Sequence, residues 1–396
     1  MGGTCFACKC KKDIITLENQ KEFEMSKEME KKKLEQEKMI FEKVLNNLEE
    51  AKINFININS SSCYQSSTLQ GFVHLIYPLA IRNLNKERDK KGQTKIKNLD
   101  ELKNNNQFND MIIDILKEIN NKEEYKKKNP NNNINNLFTQ QNYYFDKRFK
   151  ADKLFDKYPP EQGIRQGLLN EYDCNKLHEL LINDALPSDS SSSSSNNNLS
   201  NNTKDNPTKI LIIKKRTIIS DILKIKIEGN IYPHGNLVLN FSEDDLNDNN
   251  LSIFKLLKNC PQLKKDSYSH KKITDISNII YIFIDRVKKD KNEGISKNFI
   301  INEKIYFDKT NKNFTQKDTK YNSLYELKFI IYHSSCSLSS GHYIAYQKIK
   351  GVWFYFNDLD SGYANKVNPL LNVYDESSQF PVILYYVLDD ERENKN

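Results

Sequence analysis

The sequence predicts an α+β fold. Three observations carry this expectation: a long charged segment free of Pro and Gly near the N-terminus, helical apolar spacing after Cys63, and alternating strands around His342. The 396 residues accommodate two or three domains, or one large enzyme domain with insertions. Hydrophobic residues make up 37% and charged residues 29%, so a core exists but is diluted by polar segments. The net charge of +7 is spread over many lysines, with no basic stripe interleaved with stacking aromatics, so nucleic acid is not an expected partner. Seven cysteines without a signal peptide or regular spacing predict free thiols in a reducing, cytoplasmic compartment. No apolar run approaches the ~18–20 residues of a membrane-spanning helix.

The first element is the tail "MGGTCFACKCKK", residues 1–12. Gly2 followed by Cys5, Cys8, Cys10 and lysines looks like a myristoylation site with adjacent palmitoylation cysteines, the two-signal arrangement that stable anchoring needs. Phe6 stands where that motif prefers Ser or Thr. The three cysteines lack a nearby fourth ligand and make a poor zinc set. The expected location is therefore cytoplasmic, held to a membrane surface through the N-terminus. Residues 13–52 follow as a charged helical extension, with an i, i+3, i+4, i+7 stripe of Phe41, Val44, Leu45 and Leu48 that must pack on something. The remainder, 53–390, reads as one domain with low-complexity insertions near 125–137 and 187–207, then a polar tail at 391–396.

Within that domain Cys63 follows Ser60, Ser61 and Ser62, which offer N-cap chemistry. Leu69, Phe72, Val73, Ile76 and Leu79 then recur at helical spacing. A thiol at a helix N-terminus is favoured as thiolate by the macrodipole, and the free N–H groups there can hold an oxyanion. A partner base must come from elsewhere. His74 lies eleven residues along the same helix, roughly 16 Å away, and cannot reach. His178 pairs i, i+4 with Cys174, which an amphipathic helix face explains without chemistry. His234 and His270 have no supporting pattern.

His342 reads as part of a strand, sharing a face with Ile344 and Tyr346, followed by a turn at Gly351 and a second strand in which Trp353, Tyr355 and Asn357 share a face. A two-residue loop at Ile349–Lys350 places Asn357 opposite His342; a three-residue loop ending at Gly351 places Asp358 there. Either residue supplies an acceptor that orients the imidazole, as catalytic histidines require. A Cys–His–Asn/Asp set spread over the chain is what thiol hydrolysis uses.

These residues resemble the ubiquitin-specific proteases. Their cysteine box, G-L-x-N-x-G-N-T-C-Y-x-N-S-x-L-Q, is matched by "FININSSSCYQSSTLQ" at Cys63, Tyr64, Ser67, Leu69 and Gln70. Their histidine box is matched more closely by "YELKFIIYHSSCSLSSGHYIAY" and "WFYFND", from Tyr325 to Asp358. Weaker echoes are "EYDCNKLHELL", "ISNIIYIFIDRV" with Arg286 in the family's arginine position, and "FPVILYYVL". The resemblance spans about Phe55 to Leu388 and implies a papain-like cysteine protease with thumb, palm and fingers. It implies a deubiquitinase with ubiquitin and ubiquitinated proteins as partners, Cys63 as nucleophile, His342 as base, and Asn357 or Asp358 as third residue. The family's oxyanion Asn falls at Ile58, so Asn57 and Asn59 are the candidates, and its glycine before the cysteine is Ser60. Two further readings stand beside this one: a ubiquitin-binding pseudoenzyme, and a protease for another ubiquitin-like modifier. No C-x-x-C pair stands in the fingers, where "NIYPHG" occurs, so neither zinc nor any cofactor is expected.

Overall fold

The computed structural model describes residues 6–55, 63–103, 107–129, 178, 182, 217–228, 230–232, 236–265, 271–288, 293–334, 341–359, 365–367 and 379–389. Helix α1 (Phe6–Glu50) has 45 residues, about 68 Å at 1.5 Å per residue. It begins at Phe6 rather than at the expected residue 13, because no Pro or Gly interrupts the polar stretch between them. The apolar stripe packs as its spacing requires: Phe41, Leu45 and Leu48 are buried and Val44 lies against them. Further toward the N-terminus, Phe23, Met25, Met29 and Leu34 are exposed, so among the described side chains it is the C-terminal end of α1 that docks. Arg82 secures that end through Glu42, Glu49 and Asn46.

Helix α2 (Cys63–Gly71) runs into a π-helical turn (Phe72–Ile76) and then α3 (Tyr77–Lys90). Helix α4 (Gln107–Lys128) runs through residues 125–128, which the sequence places at the start of an insertion near 125–137. Lysines in its last turn suit the negative end of the helix. A short α5 (Ile218–Leu223) is closed by a Thr217/Ser220 capping box.

Among the described residues, nine strands form the central sheet. Its main path is β13 (Asn365–Lys366), β12 (Val352–Phe356), β11 (Tyr343–Ile349), β10 (Asn322–His333), β14 (Phe380–Leu388), β5 (Ile279–Asp285) and β3 (Asn236–Asn240). β8 (Lys304–Asp308) pairs with β10, and β9 (Asn313–Thr315) with β8. Pairing is antiparallel except between β3 and β5. Both faces are covered, so the strands read as nearly continuous apolar runs, yet alternate residues face opposite cores. In β5, Ile279, Tyr281 and Phe283 join the core shared with α1 to α5, while Ile280, Ile282 and Ile284 join the other. That second core includes Ile253, Phe254, Leu256 and Leu257 of a short helix (Ile253–Lys258). β1 (Ile225–Ile227), β2 (Asn230–Tyr232) and β4 (Ile273–Ile276) form a separate three-stranded sheet in the order β2-β1-β4. A short ribbon of β6 (Val287–Lys288) and β7 (Glu293–Gly294) follows β5.

Gly71 sets how closely α2 approaches the sheet. A Cβ there would lie 2.9 Å from Cε1 of the buried Phe329 ring in β10. Arg286 is enclosed and structural: Nε donates to Pro381 O at 2.8 Å, and Nη1 to Ile295 O at 3.0 Å and Lys297 O at 2.9 Å. The rings of Phe241, Phe299 and Phe380 surround its guanidinium.

Candidate active site

Cys63 is the first residue of α2 and is buried. α2 packs against β11, and β11 opens one residue after His342. The helix that carries the thiol thus lies on the strand that His342 directly precedes.

The hairpin after His342 departs from both expected registers. Ile349 pairs with Val352 and Ala345 with Phe356, so the two-residue loop is Lys350–Gly351. Both loop residues have positive φ, 50° and 80°, the twist-matched geometry of a type I′ turn. A lysine in the left-handed region is uncommon, which is why the sequence does not announce this loop. Extended to His342, the observed register would face it with Leu359, and the ladder stops at Phe356 before reaching that far. The acceptors therefore come from the segment leaving β12 rather than from a cross-strand pair.

Both acceptors nevertheless reach the ring. His342 Nε2 is 2.7 Å from Asn357 Oδ1 and 3.3 Å from Asp358 Oδ1, whose side chain is 2% exposed. The backbone N–H of Leu359 also donates to Asn357 Oδ1, at 3.2 Å. An N–H can only donate, so the amide atom facing it is the acceptor oxygen. That oxygen then accepts from His342 Nε2–H, and the neutral ring carries its proton on Nε2. Nδ1 is left bare and basic, which is the atom a thiol proton needs. A second hydrogen bond, from His342 N–H to Ser334 Oγ at 3.0 Å, holds the backbone at this point.

The other sequence candidates fall as follows. The oxyanion candidates Asn57 and Asn59, with Ile58 and Ser60, lie outside the described residues, as do Gly2, Cys5, Cys174, His234, His270, Cys336 and the 187–207 tract. Cys8 and Cys10 fall within the span of α1. His178 is enclosed, 2.8 Å from Tyr385 Oη through Nδ1 and stacked 3.8 Å from Tyr281, as a core histidine should be. Cys260 is also buried, and burial pushes its thiol up to about 11, so it stays protonated and inert. Among the described residues, no group of His, Cys, Asp and Glu is arranged to hold a metal ion, and no helix is long and apolar enough to cross a membrane.

Sequence reasoning dismissed His74 and overlooked Gln347. His74 Nδ1 sits 2.7 Å from Leu48 O, and Gln347 Nε2 lies 3.4 Å from His74 O. The available signal was polarity in the wrong place: each interrupts an apolar run of a helix or a strand.

The fold is that of the papain-like cysteine hydrolases, and the oriented imidazole suits their chemistry. The profile described as ubiquitin carboxyl-terminal hydrolase matches residues 54–386, and the chain belongs to that family of deubiquitinating proteases. No curated relative matches it. Among solved structures, it is similar to the SAGA Ubp8/Sgf11/Sus1/Sgf73 DUB module bound to ubiquitin aldehyde, at 16% identity and TM-score 0.48, covering 86% of this chain and 70% of that one. A Ubp8 module bound to monoubiquitin follows at 14% and 0.47, with coverage of 86% and 70%. The yeast SAGA module with an Sgf73 mutant gives 16% and 0.47, again covering 86% and 70%.

Proposed function

We propose that the protein is a thiol-dependent hydrolase of the isopeptide or peptide bond after the C-terminal glycine of ubiquitin, with Cys63 as nucleophile and His342 as general base. The observation that carries this reading is the contact of Asn357 Oδ1 with His342 Nε2, because it leaves Nδ1 to accept a thiol proton. The placement of α2 supports it. Gly71 rests on Phe329, which pairs with Gln347 of β11. Only Lys348 and Ile349 of β11 lie beyond Gln347, so the contact of α2 with β11 runs back toward Tyr343 and His342. Cys63 is eight helical residues back from Gly71, about 12 Å, and His342 is five strand residues back from Gln347, about 17 Å. Both retreats lead to the same end of the strand.

The steps follow from these positions. His342 Nδ1 takes the proton of Cys63, and Sγ attacks the glycine carbonyl carbon. The carbonyl oxygen gains charge near the α2 N-terminus, where backbone N–H groups and the macrodipole favour it. Collapse breaks the C–N bond; the proton on Nδ1 passes to the leaving lysine amine, and a thioester remains. His342 then removes a proton from water, whose oxygen displaces Sγ to release ubiquitin's carboxylate. The Asn357 oxygen keeps Nε2–H in place throughout, and Asp358 beside it offsets the transient imidazolium charge. A ubiquitin C-terminal electrophile probe tests the assignment. The wild type should be labelled and Cys63→Ala should not, while Cys260→Ala should label normally. Labelling of Cys63→Ala would refute the nucleophile, and a panel of other ubiquitin-like probes separates ubiquitin from its relatives.

We also propose that the N-terminus holds the protein to a membrane by acylation of Gly2 with one of Cys5, Cys8 or Cys10. The support is the motif together with α1, which spans about 52 Å from Phe6 to the docked Phe41 and so acts as a spacer. Gly2→Ala should shift the protein from the membrane to the soluble fraction without changing turnover of a soluble substrate. Unchanged fractionation would refute N-myristoylation.

A further inference from the structure

The last carbonyls of a helix lack intrahelical partners and must be satisfied from outside. At the end of α1 the partners come from the catalytic domain. His74 Nδ1 is 2.7 Å from Leu48 O, and Gln347 Nε2 lies 3.5 Å from Glu49 O. Leu48 O can only accept, so His74 carries its proton on Nδ1. Its Nε2 is then a bare acceptor, fully buried and without a hydrogen-bond partner among the described residues. Burial lowers the affinity of His74 for a second proton, to a pKa of about 4, so the ring is neutral.

The ring of His74 also stacks with two others. Phe55 stacks on it at 6.0 Å and 27°, and Phe356 at 6.4 Å and 24°. Phe356 is the last residue of β12 and directly precedes Asn357. His74 itself sits in the π-helical turn on the helical run that begins at Cys63. Such turns cost regular hydrogen bonding and recur at functional sites. An apolar residue would fill this core position without placing a bare nitrogen in the core. The polar ring therefore does something that packing alone does not require.

We propose that His74 is a positioning residue: hydrogen-bonded to the end of α1 and stacked on Phe356, it sets the station of Asn357 and thereby the orientation of His342. Docking of the N-terminal helix and competence of the catalytic imidazole are coupled through this one ring. The kinetic arm of the test rests on the deubiquitinase reading; the spectroscopic arm does not.

The test uses the full chain, a fluorogenic ubiquitin C-terminal amide, and a long-range 1H–15N spectrum that reports which nitrogen of His342 holds the proton. His74→Leu removes the donor and the ring. It should lower kcat about tenfold, because small misplacements of a catalytic group are costly, while KM stays within about twofold. The His342 signals should move from a single Nε2–H form to a mixture of tautomers. His74→Phe keeps a ring in the stack and loses only the bond to Leu48, and should lower kcat about two- to fivefold. Phe356→Leu should give the loss seen in His74→Leu, and the double variant should lose little more. Wild-type kcat and an unchanged His342 spectrum in a folded His74→Leu protein would overturn the proposal. If His74→Leu does not fold, the same two results in His74→Phe would overturn it. Should the wild type fail to turn over ubiquitin substrates, the deubiquitinase reading falls, and the His342 spectra alone decide the role of His74.

Discussion

Replacing Asn357 by Ala removes the amide oxygen that receives His342 Nε2–H at 2.7 Å and Leu359 N–H at 3.2 Å. In the resting enzyme the ring bond is one between neutral groups, worth about 0.5–1.5 kcal/mol net. Once His342 has taken the thiol proton, the same bond is to a charged group and is worth about 1.5–3 kcal/mol. Because the resting bond is lost as well, kcat falls by the difference, about 1–1.5 kcal/mol, or roughly 5- to 12-fold at about 1.4 kcal/mol per decade. Asp358 Oδ1 is already 3.3 Å from Nε2 and can close part of the gap, so the expected drop in kcat is near the low end, about fivefold. Asn357→Asp keeps an acceptor and should lose less. Asp358→Ala should also reduce kcat, because a carboxylate that is 2% exposed sits beside the developing imidazolium. The assay is steady-state cleavage of a fluorogenic ubiquitin amide, with thermal melting to confirm folding. Wild-type kcat in a folded Asn357→Ala protein would refute the orienting role and the tautomer assignment built on it.

Gly71→Ala should destabilise the protein by about 1–2 kcal/mol: the added Cβ meets the Phe329 ring at 2.9 Å, an overpacking cost of about 1–3 kcal/mol, of which helix propensity returns up to about 1. Chemical denaturation measures this, and an unchanged or higher midpoint would show that α2 does not rest so closely on β10. Arg286→Met should cost about 3 kcal/mol, about 1 for each of three buried carbonyls left without a donor, and should leave kcat per folded molecule unchanged. A fall in kcat at full folding would mean that Arg286 serves the site and not only the fold.

Several parts of this architecture are legible in the order of the residues. Periodicity over short windows locates the docked stripe Phe41, Val44, Leu45 and Leu48, and the helix opening at Cys63. Residue chemistry isolates His342 with Asn357 and Asp358 as its acceptors, and all three meet. Such features depend on neighbours a few residues apart, so a linear string contains them.

Features decided by distant partners are not legible there. The turn at Lys350–Gly351 moves the ladder, and no short window of sequence distinguishes the three loop choices when the left-handed position holds a lysine. The acceptors reach His342 from beyond the strand end, a geometry that pairing rules do not contain. His74 is eliminated by its distance along one helix from Cys63, which is correct for direct chemistry and silent about Leu48 and Phe356, 26 residues before and 282 residues after it. Sequence alone determined which residue types stand ready at a helix start and around a strand pair. Only the tertiary structure decided which atoms face one another, because hydrogen-bond register and ring stacking are set by packing between segments that the chain order does not bring together.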